Sequence, residues 1–182
     1  MNGASRVRPV VDRFFHLLAG IAGIILLAMM VHVTADVVMK YVFRKPLAGT
    51  LEIVSAHYMV FSVFLPLGLV EWSRKSISVE LFFFMFPRVV QVVLIALVLA
   101  IMSTVYAALA WQTWLDAVEA YQRNDFLMGG TVQIVIWQAR FALPVGFGAA
   151  CLVTTWQFLG VVLGFDRDSW LVSQIVDEIA PE

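Results

Sequence analysis

The sequence predicts an all-α integral membrane protein: a bundle of four tilted transmembrane helices, with both termini on the cytoplasmic side (N-in/C-in). Three observations carry this. Of 182 residues, 62% are hydrophobic and only 14% are charged, against about 25% charged in an ordinary soluble domain. Four stretches free of Asp, Glu, Lys and Arg, Phe14–Ala35, Ile53–Val70, Val89–Leu115 and Phe141–Phe165, run for 22, 18, 27 and 25 residues, and about 20 apolar residues in a helix cross roughly 30 Å of hydrocarbon. The polar–apolar alternation of a membrane β-barrel is missing, whereas an α-helix satisfies its own backbone in lipid.

The first span covers about residues 14–38. It follows Arg6, Arg8 and Arg13, but its apolar core exceeds the roughly 7–15 residues of a signal-peptide core, so it reads as a retained helix. The second covers about 51–70, with Thr50 as N-cap and Glu52 in the first turn, at the positive end of the helix dipole. The third covers about 89–115. The i,i+4 pair Glu119 and Arg123 lets it continue to Arg123, about 54 Å from Arg88 at about 1.5 Å per residue, so it must tilt or project from the membrane. The fourth covers about 132–163. Residues 1–165 thus form one transmembrane domain. The tail 166–182 carries Leu171, Val172, Ile175, Val176 and Ile179 at helical spacing, as a short amphipathic helix or a frayed end.

Orientation follows from Lys and Arg. With the N-terminus inside, Arg6, Arg8, Arg13, Arg74, Lys75, Arg88 and Arg167 are cytoplasmic, and Lys40, Arg44, Lys45, Arg123 and Arg140 lie outside. Trp72 belongs to an inner interfacial belt, and Trp111, Trp114 and Trp137 to an outer one. Trp156 lies too deep for a belt and is expected to pack against another helix.

Composition also excludes classes. High hydrophobicity rules out disorder. Twelve Lys and Arg nearly balance thirteen Asp and Glu, so no basic footprint for nucleic acid exists. One cysteine, Cys151, excludes an internal disulfide and any Cys-rich zinc or iron–sulfur site. The connections are too short for a second domain. The chain does not read as an enzyme, and no catalytic, substrate-binding or metal site and no cofactor are expected.

Polar groups within the spans are costly and therefore candidates for function. His32, Asp36 and Lys40 form an i, i+4, i+8 stripe near the outer end of the first helix. It is either a self-satisfied patch that snorkels toward headgroups or a docking face for another membrane protein. Glu52, Ser55, Met59 and Ser62 form a stripe on the second helix, for capping and helix packing; His57 lies off it if the helix is regular. Arg140 reads as an interfacial arginine beside a kink, because Pro144 frees its carbonyl. Pro66-Leu67-Gly68 and Pro144-Val145-Gly146 repeat a Pro-x-Gly pattern, read as two kinks. No acidic residue is expected near the middle of a span. Ala19 with Gly23, and Gly146 with Ala150, are small-xxx-small pairs suited to close helix contact. His32 and His57 sit at similar depth on adjacent helices, about 9 Å in, so a haem b-bearing membrane anchor of an oxidoreductase is an alternative. A self-sufficient small carrier is another.

Three segments in order carry a resemblance. Lys40-Tyr41-Val42-Phe43-Arg44-Lys45-Pro46, followed by Glu52, resembles the Arg-Tyr-x-Phe-x-x-Pro…Glu segment of the small, DctQ-like membrane subunit of tripartite ATP-independent periplasmic (TRAP) transporters. Arg74-Lys75-Ser76-Ile77-Ser78-Val79-Glu80 is similar to that family's basic turn followed by His-Ile-x-Val-Asp. Trp137…Pro144-Val145-Gly146-Phe147 is similar to its Trp…Pro-x-Gly-Phe. Lys40 replaces the usual Arg, a serine the frequent His, and Glu80 the frequent Asp. The resemblance covers about residues 12–165.

It implies an accessory scaffold subunit in the bacterial inner membrane. In such systems a periplasmic solute-binding protein captures an organic acid. A large elevator-type membrane subunit then moves it inward on a sodium gradient. The small subunit packs against the large one, helps dock the binding protein and holds neither substrate nor sodium. Candidate residues for the partner interface or membrane anchoring are His32, Asp36, Lys40, Tyr41, Arg44, Glu52, Arg74, Lys75, Trp137 and Arg140, with phospholipid as the further partner. The transported solute is not legible from a subunit that does not touch it.

Overall fold

A computed structural model of the chain describes residues 4–73, 87–129 and 132–164, with side chains described from Asp12 and not at Arg88. Four segments are long and apolar enough to cross a membrane: Asp12–Val42, Thr50–Trp72, Val89–Arg123 and Trp137–Leu163. Only the first and third are unbroken helices.

Helix α1 runs Ala4–Val42. The second span is built from α2 (Thr50–Ile53), a π-helical turn (Val54–Tyr58), α3 (Met59–Phe64) and α4 (Leu67–Trp72). In the π turn the Met59 N–H reaches back five residues to the Val54 carbonyl. One extra residue per turn rotates everything after it, so Glu52, Ser55, Met59 and Ser62 do not keep the single stripe that regular spacing predicts. Their hydroxyls are satisfied locally: Ser55 donates to the Glu52 carbonyl and Ser62 to that of Met59. Pro66 then breaks the span at the Leu65–Pro66 turn, because it has no N–H to continue the ladder.

Helix α5 extends Arg88–Arg123 and ends at Asn124, whose left-handed φ of 52° stops it. The expected extension past Leu115 is present, with the Glu119–Arg123 ion pair on its last turn.

The chain next forms an antiparallel hairpin, β1 (Phe126–Gly129) and β2 (Val132–Val135), with Phe126 opposite Val135 and Gly129 opposite Val132. This corrects the expectation that the fourth span begins near 132. Phe126–Val135 contains two short runs of β-prone residues around a Gly-Gly pair, a hairpin composition. The span itself begins at Trp137, with α6 (Trp137–Arg140) and, after a turn at Phe141, α7 (Ala142–Leu163). Pro144 therefore sits in the first turn of α7, where a proline is tolerated, instead of kinking a continuous helix.

Among the described residues, helices α5 and α7 make the most extensive packing. Ile95, Leu99 and Val161 form its buried centre, flanked by Val92, Ala96 and Phe158. Farther along, the Ser103 and Thr155 hydroxyls lie 2.7 Å apart across the two helices. Trp156 does not pack inward as expected; it is 62% exposed on the outer face of α7.

The two Pro-x-Gly segments bring the second and fourth spans together. A Cβ on Gly146 would strike the backbone carbonyl of Phe64, and one on Gly68 would come within 2.6 Å of the Phe15 ring and 3.1 Å of the Ala149 Cβ. Gly146 and Ala150 are both buried, as a small-xxx-small contact requires. The other small pair behaves differently: Gly23 is exposed and a Cβ there would meet nothing within 4 Å.

Candidate functional site

The candidate residues fall mostly at the end of the bundle where the first two spans join and the last two join. Asp36 is the organising acid of the first junction. Its Oδ1 accepts the Leu47 N–H at 2.7 Å. The Lys45 N–H meanwhile reaches the Met39 carbonyl at 3.2 Å. Arg44 takes a left-handed φ of 54° and Gly49 one of 83°. The connection therefore folds back on α1 and delivers Thr50 directly into α2.

Lys40 and Tyr41 stand at the rim. The Lys40 ammonium lies 5.9 Å from the Tyr41 ring centroid, within cation–π range. Tyr41 and Arg44 are both exposed. The predicted His32–Asp36–Lys40 stripe thus separates by role: Asp36 closes the loop, Lys40 faces outward, and His32 turns to the second span. His32 Nδ1 lies 3.4 Å from the Tyr58 hydroxyl, and the two rings meet edge-on at 5.7 Å. Among the described residues His32 and His57 share no hydrogen bond or ring contact. His57, within the π turn, has a buried Nδ1 without a hydrogen-bond partner among the described residues.

The hairpin docks on the start of the second span. Ile134 is buried against Gly49. A Cβ on Gly129 would lie 2.5 Å from the Gly49 Cα and 3.1 Å from the Glu52 Oε2. Only glycine at both positions lets the backbones approach this closely, and Gly49 also needs the left-handed conformation. Glu52 thus lies beneath the hairpin rather than on a free face. The remaining hairpin side chains Phe126, Leu127, Met128, Val132 and Val135 are exposed.

Trp137 and Arg140 tie the second junction. Trp137 packs edge-on with Tyr121 at 5.0 Å and with Phe141 at 6.3 Å. Arg140 lies 3.6 Å from the Asp125 carboxylate, and the Asp125 carbonyl accepts the Ile136 N–H at 3.1 Å. Arg74 and Lys75 lie outside the described residues, as do the turn that follows them and the tail.

One buried acid was missed. Glu71 is the last residue but one of the second span, so counting acid-free stretches assigns it to a membrane edge. In the bundle it is 7% exposed and its Oε1 accepts the Tyr106 hydroxyl at 2.6 Å. Tyr106 is at the midpoint of α5. The Gln157 amide donates to the Glu71 backbone carbonyl at 2.9 Å. Glu71 stands at the end of its own span, yet it is buried against Tyr106 of the third span instead of lying free at an edge. The second span ends against the middle of the third, a depth relation that one-dimensional counting cannot show. Below it, the Trp72 indole donates to Asp12 and stacks near Phe15 at 6.1 Å, which fastens the second span to the first.

These groups tie helices together; among the described residues no cluster of three or more His, Cys, Asp or Glu is placed to hold a metal ion. Comparison with known proteins agrees with a non-catalytic role. A family model described as "Tripartite ATP-independent periplasmic transporters, DctQ component" matches residues 29–164, about three quarters of the chain. No curated protein matches it.

Proposed function

The chain belongs to the DctQ component family of tripartite ATP-independent periplasmic transporters, and on that footing we propose that its bundle is the static scaffold of a sodium-driven importer of an organic acid or related solute. Membership makes it a transporter component and multi-pass membrane protein, not an enzyme, that works in a complex with a large membrane subunit and a binding protein. The finer reading concerns what this subunit does there. It packs against the large elevator-type subunit in the bacterial inner membrane and helps dock the periplasmic protein, with both termini cytoplasmic.

The observation that carries this is the cross-tying of all four spans. Asp12 to Trp72 links the first and second. Glu71 links the second to the third through Tyr106 and to the fourth through Gln157. Arg140 and Asp125 close the last junction. A part that stays still while a neighbour moves needs such fixed contacts rather than two alternative packings. In the proposed orientation the docked hairpin and the Lys40–Arg44 rim face the periplasm, where a binding protein approaches. Arg74 and Lys75 then meet anionic headgroups inside.

The test is uptake by reconstituted liposomes with a sodium gradient. The complete three-part system transports, and omission of this chain abolishes uptake while the large subunit remains inserted. Uptake by this chain alone would sink the reading in favour of a self-sufficient carrier.

A further inference from the structure

The β1–β2 hairpin has an edge that no described part of the chain pairs with. The Asp125 carbonyl accepts the Ile136 N–H, and the register sets Leu127 opposite Ile134 and Gly129 opposite Val132 in the same phase. In an antiparallel ladder such hydrogen-bonded pairs alternate with pairs whose N–H and C=O groups point away from the other strand. Phe126, Met128, Gln133 and Val135 are the residues of the second kind. β1 is the strand that packs along α2, so the edge left open is that of β2, at Gln133 and Val135. Both are exposed. Among the described residues nothing pairs with their outward N–H and C=O groups. We propose that this edge takes up an extended strand of the large membrane subunit, which pairs with the backbone of Gln133 and Val135. The proposal rests on the scaffold reading, which sets that subunit against this chain.

Composition calls for a permanent cover. Between Asp125 and Arg140 no residue is charged, and the two strands carry neither proline nor a bulge. Sheet edges that stay in water are blunted by those devices, because a bare edge recruits other chains. Phe126, Met128 and Val135 share the outward face of the hairpin and are exposed, opposite the face that buries Ile134 against Gly49. Lipid chains cannot supply the cover, since hydrocarbon offers no partner to outward backbone groups and open sheet edges do not occur in it. Water pairs the backbone but leaves the apolar side chains bare. An added strand meets both needs: its main chain pairs with the edge, and its alternate side chains extend the apolar face.

Place and permanence choose the partner. Gly49, beneath the hairpin, closely follows Leu47, whose N–H is tied to Asp36. Asp36 ends the charge-free run of the first span. The edge therefore stands at the border of the hydrocarbon, within reach of another membrane-embedded chain. A binding protein that docks and leaves needs a surface about as polar as the rest of the protein, whereas lasting subunit contacts are the more apolar ones.

The complex of this chain with its large subunit is compared with the full chain alone, in the same detergent, by amide hydrogen exchange read residue by residue. The Leu127 and Ile134 amides, paired within the hairpin, are the internal reference. The Gln133 and Val135 amides are expected to exchange about tenfold or more slowly in the complex, as amides in stable pairing do; equal rates overturn the proposal. Val135→Pro removes one outward N–H and spares the ladder, because proline is tolerated where a strand N–H faces outward. It is expected to lower the co-purified large subunit about fivefold, the scale of one lost backbone hydrogen bond, while the isolated variant melts like the wild type. Val135→Thr keeps the N–H and the branched shape and should retain the complex. Equal losses in the two variants assign the contact to the side chain and overturn strand pairing. With p-benzoylphenylalanine at position 133, ultraviolet light should cross-link this chain to the large subunit; a product with the binding protein, a second copy or lipid in its place overturns the choice of partner. Should Val135→Pro fail to fold, the exchange rates of the wild-type complex decide the matter alone. Failure of the wild-type chain to co-purify with the large subunit sinks the scaffold reading, whereas a complex with unprotected Gln133 and Val135 amides sinks only this proposal.

Discussion

Two parts of the bundle are held in opposite ways. Helices α5 and α7 bury Leu99, Val161 and Ala150 almost completely, and hydrogen-bond across their seam. Along the described face of α1, only Phe15 and Ala22 are buried, and Leu17, Ile24, Val31 and Tyr41 are exposed. In lipid an exposed apolar side chain costs nothing, because hydrocarbon is as apolar as a protein core. Burial in such a bundle therefore marks where the chain chooses its own neighbours. The α5–α7 pair is organised by itself, and α1 is left for lipid or for another chain. The second span mediates: it touches α1 through the His32–Tyr58 contact and the fourth span through Gly146.

The comparison is broken most sharply at Gly146. Any side chain there meets the Phe64 backbone, which has no rotamer to yield. Gly146→Leu is expected to destabilise the isolated protein by about 3 kcal/mol or more, the upper range of overpacking. The check is a thermal melt in detergent. Gly23→Leu, on the exposed side of α1, is the control and should melt like the wild type.

The buried acid comes next. Glu71→Ala leaves the Tyr106 hydroxyl without its acceptor and opens space at a three-helix node. The expected loss is about 2 kcal/mol, within the range for an orphaned buried polar group. Tyr106→Phe removes the donor without a cavity and should cost about 1 kcal/mol, in line with interhelical hydrogen bonds in membranes. A Tyr106→Phe loss as large as that of Glu71→Ala would mean that the hydrogen bond, not the filled space, holds the node. Leu99→Ala, at the centre of the self-packed pair, should cost about 2 kcal/mol through its cavity.

Much of this was legible in the residues. Spans follow from runs without charge, and the stop of α5 near Arg123 follows from the Glu119–Arg123 pair. The family likeness was carried by the rim segment from Lys40 to Glu52 and the Pro-x-Gly-Phe segment of the fourth span. What was not legible depends on relative depth or register. Glu71 reads as a membrane-edge acid until the second span is set against the middle of α5. The π turn at Val54–Tyr58 leaves no mark in composition, yet it changes which side chains share a face. The hairpin was absorbed into the fourth span because its residues are apolar, although Gly129-Gly130 is a turn signal that outranks hydropathy over ten residues. Trp156 shows the reverse error: depth alone does not decide whether an aromatic ring faces protein or lipid.

At the rim, effects should be smaller. Asp125 and Arg140 are partly exposed and 3.6 Å apart, so solvent screens their attraction. A double-mutant cycle with Asp125→Ala and Arg140→Ala should give a coupling of about 0.5 kcal/mol or less, read from unfolding midpoints. A coupling several times larger would place this pair with Glu71 among the groups that hold the bundle together, and would extend the self-organised region to the hairpin.

The smallest expected effect sharpens the comparison most. Leu17 is 61% exposed on α1, whereas Leu99 is 1% exposed on α5. Leu17→Ala removes the same atoms as Leu99→Ala, but no cavity forms, because lipid or detergent closes over the site. Its effect on the melting of the isolated chain should be within about 0.5 kcal/mol, the range for changes away from packed contacts. Stability and assembly then separate. If α1 meets the large subunit along this face, Leu17→Ala lowers the yield of co-purified complex while the isolated variant melts normally. If the face meets only lipid, both measurements stay at wild-type values. A large loss of stability in the isolated chain is the outcome that removes the distinction between the two halves of the bundle, since it would make α1 a packed element of the same kind as α5.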